Sequence, residues 1–85
     1  MKHDSAIDQS LIPLALVSPG SEVRLVSLGE GIAPHQREQL TAYGLAEDRP
    51  LTVIQQRPMT VILADEVELA LERGVALHVW VSRPV

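Results

Sequence analysis

The 85-residue chain carries a formal net charge of −4 and contains no cysteine, no phenylalanine, one tyrosine and one tryptophan. The missing cysteines exclude disulfides, thiolate metal sites, iron–sulfur clusters and thiol nucleophiles, so a core must be assembled from Val, Leu, Ile and Ala, which suit short β-strands. With 46% hydrophobic residues the chain can close one small core, while an acidic balance with seven scattered Lys and Arg argues against nucleic acid as a partner.

Residues 1–10 (MKHDSAIDQS) are polar and read as a flexible N-terminus, with residues 11–85 forming a single domain. The N-terminal stretch lacks the apolar run of a secretory signal, and no segment approaches the ~18–20 apolar residues of a membrane span. A cytoplasmic protein with no direct membrane insertion is expected. IPLALVSPGSEVRLVSL reads as a short lead-in, a turn at Pro19-Gly20 and a strand from Val23 to Leu28, broken by Gly29-Glu30-Gly31. A helix is predicted over 34–43, with Pro34 at its first position and Gly44 as a left-handed C-cap.

Beyond Gly44 the period changes to that of strands. PLTVIQQ and MTVILA are joined by a tight turn at Arg57-Pro58, VELALE alternates after a turn at Asp65-Glu66, and RGVA permits one helical turn. The final strand, LHVWV (77–81), puts Leu77, Val79 and Val81 on one face and His78 and Trp80 on the other. Five short strands with one helix inserted after the first predict a mainly all-β, strongly bent barrel.

The Ser and His residues show no nucleophile–base spacing, and no Gly-rich loop opens a helix to cradle phosphate, so no enzymatic activity is expected. His35 with Glu38 or Gln39 lies on one helical face and His78 on an exposed strand face. No cofactor is required, and the pattern suits at most a weakly held divalent metal ion. Arg37 is expected to lie along the helix surface and bond a loop carbonyl, in preference to acting as an arginine finger in trans on a partner's GTP. For Trp80 two readings stand: a ring covered by Ile7, Leu11 or Ile12, or a docking surface shared with His78. An edge strand with an apolar outer side would also be relieved by pairing into a homodimer through that last strand.

The ordered set PLALVSPGSEVRLVSL, REQLTAYGL, LTVIQQRP and LALERGVALHVWV, over residues 11–81, resembles the FeoA family, small cytosolic proteins of bacterial ferrous iron uptake. Tyr43 stands where the family usually has Met, and Asp48 and Glu66 stand at usual Gly positions. Both of those sites favour φ > 0, which Asp accepts better than Glu, so an altered turn is expected at Glu66. Trp80 occupies a position more commonly polar. The resemblance implies a five-stranded SH3-like barrel and a regulatory role beside the ferrous iron transporter FeoB, through contact with its cytosolic GTP-binding domain. Gln36, Arg37, His78 and Trp80 are the candidate contact residues. Two alternatives are a small divalent-metal-binding protein using His35, Glu38 and His78, and a partner-binding module similar to the C-terminal domains of metal-dependent repressors, although no helix-turn-helix segment is present.

Overall fold

The computed structural model describes residues 11–83. Its elements are strand β1 (Leu11–Pro13), a 3-10 turn (Leu14–Leu16), β2 (Glu22–Leu28), helix α1 (Pro34–Ala42), β3 (Pro50–Gln55), β4 (Thr60–Ala64), β5 (Val67–Leu71), the short helix α2 (Arg73–Ala76) and β6 (Val79–Ser82). The strands form one antiparallel sheet in the order β1-β6-β2-β3-β4-β5. Among the described residues no helix is long and apolar enough to cross a membrane.

Alternation along the strands sorts the side chains, because successive residues point to opposite faces. Val23 and Leu25 of β2, Leu51 and Val53 of β3, Ile62 of β4 and Val79 and Val81 of β6 point inward and are almost fully buried, with Leu14 and Leu45 closing the ends. Register shifts between Leu25 and Ser27 and between Val53 and Gln55 put one extra residue into β2 and one into β3. Such bulges raise the local twist and let a short sheet curl around its own core. The buried hydroxyl of Thr60 donates to Gln56 Oε1 (2.6 Å), and Gln56 Nε2 donates to the carbonyls of Leu14 (3.0 Å) and Val17 (2.7 Å). That amide ties the 3-10 turn to the β3–β4 hairpin.

Helix α1 begins and ends as expected. Pro34 takes the first position, and Gln36 Oε1 accepts the Ala33 N–H (3.3 Å). At the other end Gly44, at φ +108°, allows a Schellman closure in which Leu45 N–H bonds Leu40 O and Gly44 N–H bonds Thr41 O, both at 3.0 Å. Leu40 is the buried residue of the helix and packs in the same core as Leu45, so the helix depends on the sheet for its stability.

Three expectations are corrected. The lead-in is a strand, making the sheet six-stranded; Pro13 at its end and a length of three residues hide it from pattern reading. The last strand is no edge: β6 lies between β1 and β2 with both backbone sides paired, so a homodimer through it would have to break the sheet. The strand starts at Val79 rather than at Leu77, which sits with His78 in the turn after α2 and is 37% exposed. The turn at Glu66 is altered, as expected: the left-handed residue there is Asp65 (φ 57°), while Asp48 adopts the positive φ expected of it (72°).

Candidate functional site

The residues singled out by sequence converge on the loop from Leu28 to Ala33, between β2 and α1. Gly29 is bonded from two sides: its N–H donates to the carbonyl of His78 (2.6 Å) and its carbonyl accepts from Arg37 Nη2 (2.6 Å). Arg37 Nη1 donates to the Leu28 carbonyl at 3.0 Å. This is the expected guanidinium lying along the helix and holding loop carbonyls, with charge-assisted bonds that are stronger than neutral ones. Ile32, 2% exposed, anchors the loop in the core.

The two glycines serve close approach, not an unusual φ. A methyl carbon on Gly29 would stand 2.8 Å from the His78 carbonyl oxygen and 3.0 Å from Trp80 Nε1. On Gly31 it would stand 2.6 Å from Nδ1, Cε1 and Nε2 of His78, against the imidazole itself. The Gly-x-Gly turn is therefore a pair of seats for the two large rings of 78 and 80. The sequence signal was available, since a strand broken by Gly-x-Gly implies crowding there, but only the β2–β6 pairing says which rings do the crowding.

Trp80 is half-buried on the outer face of the sheet, opposite Pro13 of β1 and Ser27 of β2. Of the side chains expected to cover it, Ile12 instead pairs with Val81 and packs against the core; Leu11 is opposite Ser82, and Ile7 lies outside the described residues. His78 is exposed. Gln36 and Arg37 are half-buried and engaged in the cap and the loop clamp. The four candidate contact residues thus divide: Gln36 and Arg37 shape the surface from beneath, while His78 and Trp80 present it.

His35 and Glu38 are exposed on α1. His78 does not join them: among the described residues no three His, Asp or Glu side chains come together to hold a metal ion. Arg49 forms an ion pair with Asp65, both exposed, joining the loop before β3 to the β4–β5 turn.

A six-stranded, strongly bent antiparallel sheet with helix α1 and the short α2 defines a small SH3-like domain. The FeoA domain model matches residues 12–83, and the chain belongs to the FeoA family. A crystallised iron uptake regulatory protein (FeoA) is 26% identical with a TM-score of 0.72, the match covering 85% of this chain and 94% of that one. The FeoA protein of Chlorobium tepidum is 20% identical with a TM-score of 0.77, covering 85% and 70%. A manganese-dependent transcriptional repressor shares the fold at 18% identity and a TM-score of 0.77, and this chain spans 41% of its length. No curated protein matches the chain.

Proposed function

We propose that this protein is an accessory of ferrous iron uptake that regulates a FeoB-type transporter by contact with its cytosolic GTP-binding domain. The observation that carries this reading is the FeoA domain match over nearly the whole described chain. The absence of a nucleophile–base pair in the sequence supports a non-catalytic role. The contact region we favour is the outer face made by His78, Trp80 and the Gly29–Gly31 turn. It joins a half-buried tryptophan to an exposed imidazole on a backbone fixed by three hydrogen bonds, and rigid aromatic anchors are over-represented among interface hot spots.

The test is a titration of the protein with the soluble GTP-binding domain, read by Trp80 emission and by calorimetry. Saturable binding with a blue shift of the emission, weakened tenfold or more by His78→Ala, is the expected result. Absence of heat and of any spectral change would refute the contact. Binding unaffected by His78→Ala and without a spectral change would move it to another face.

A further inference from the structure

The arginines of this acidic chain fall into two kinds. Arg24 donates to the Asp48 carbonyl (2.7 Å), Arg37 clamps the Leu28 and Gly29 carbonyls, and Arg49 pairs with Asp65. Among the described residues, the side chains of Arg57 and Arg73 make no hydrogen bond or ion pair. Yet these two stand together: with Gln56 and Pro58 they line one depression, and no acidic side chain contributes to its wall. Strand register explains the meeting. Thr60 of β4 faces Leu71 of β5, so the chain that leaves the barrel end at Arg57 returns to it at Arg73. Asp65 and Glu66 lie at the opposite end of the same hairpin, about 17 Å away for five residues of strand. Glu68 lies between, and exposed Glu72, which precedes Arg73, is the acidic residue next to the pair in sequence.

We propose that this barrel end docks a short acidic segment of a partner protein, two carboxylates of which are taken by Arg57 and Arg73. Arginine forks match carboxylates bidentately, and the floor beneath them is already rigid because Gln56 is held by Leu14, Val17 and Thr60. The net charge of −4 sets the length of the occupant. An extended polyanion, such as nucleic acid or an anionic membrane, would meet the acidic remainder of the surface within a Debye length of about 8 Å, whereas a short segment confined to this end would meet fewer of those charges, Glu72 among them. The depression shares no residue with the His78–Trp80 face, so the inference stands whether or not that face binds a transporter.

The test is fluorescence anisotropy of a labelled hexapeptide of alternating Asp and Glu, titrated with the full chain at about 20 mM and about 300 mM salt. The amide version of the peptide (alternating Asn and Gln) serves as control. Saturable binding of the acidic peptide alone is expected at low salt, weakened tenfold or more by Arg57→Gln with Arg73→Gln. The double Lys variant should weaken it at least threefold, since charge remains but the fork is lost. Both variants should keep the parent's melting temperature, as the two side chains are exposed. Failure of the parent to bind the peptide, or a double Gln variant within about twofold of the parent, would overturn the proposal. So would capture of the parent, and not the double Gln variant, by vesicles containing phosphatidylserine, which would make the site a lipid contact.

Discussion

Replacing Gly29 by alanine drives a methyl carbon to 2.8 Å from the His78 carbonyl oxygen, and that oxygen is backbone held in the turn before β6. Relief requires the β2 end and the β6 entry to separate. The separation strains the Gly29 N–H bond to His78 and the Arg37 bond to the Gly29 carbonyl. Overpacking of this kind costs about 1–3 kcal/mol, and a weakened charge-assisted hydrogen bond adds about 1 kcal/mol. Lower entropy of the unfolded chain returns about 0.4–1 kcal/mol. The net loss is about 2 kcal/mol, or a fall in melting temperature of about 8–16 °C for a domain of this size. Gly31→Ala is the internal control. The three atoms nearest its methyl all belong to the imidazole of His78, at 2.6 Å, and an exposed ring on two rotatable bonds can swing aside, so the loss should stay below about 0.5 kcal/mol. Thermal melts of both variants, followed by circular dichroism and by Trp80 emission, decide the matter. Equal effects from the two substitutions, or a Gly29→Ala variant as stable as the parent, would refute the account of the turn as a seat of fixed backbone.

Two further outcomes follow from the buried polar contacts. Arg37→Ala removes the guanidinium donors to the Leu28 and Gly29 carbonyls, the latter keeping the Ile32 N–H, and should cost about 2 kcal/mol by urea unfolding, and Arg37→Lys, lacking the planar fork, should recover less than half of it. Gln56→Ala removes the side-chain donor to the Val17 carbonyl, one of two donors to the Leu14 carbonyl, which keeps the Val17 N–H, and the acceptor of the fully buried Thr60 hydroxyl. It should cost about 2–3 kcal/mol, with faster amide exchange in the 3-10 turn as the local signature.

Much of the fold was legible because its signals are local. Pro34 and Gly44 bracketed the helix, alternation in the last strand put Val79 and Val81 on one face, which is buried, and Asp48 was rightly expected at positive φ. The next turn is altered, as the poor fit of Glu66 to positive φ implied. A two-residue connection between Ala64 and Val67 asks one residue to be left-handed, and Asp65 meets that demand more cheaply than Glu66 because its short side chain tolerates the region. Leu77 was misplaced because an apolar residue before a strand looks like strand, while the turn of α2 had already claimed it. What remained hidden was which strands are neighbours. Periodicity reports faces, and nothing local says that β6 enters between β1 and β2. For the same reason the site was seen in parts: Arg37's bond to a loop carbonyl was foreseen, but its convergence with His78 and Trp80 on Gly29 required the β2–β6 pairing, as did the meeting of Arg57 and Arg73 for the β4–β5 register.

The place of β6 also bears on how the molecule is made. Strands β2 to β5 are joined to sequence neighbours and can pair as they are synthesised, but among the described residues β1 has no strand partner other than β6, and β2 lacks one of its two until β6 arrives. Closure of the barrel is therefore a late event that brings distant parts of the chain together, and such non-local contacts slow folding. Until Val79–Ser82 leave the ribosome, Val23 and Leu25 have no lid on that side, and the nascent chain shows an open, apolar flank of the sort chaperones recognise.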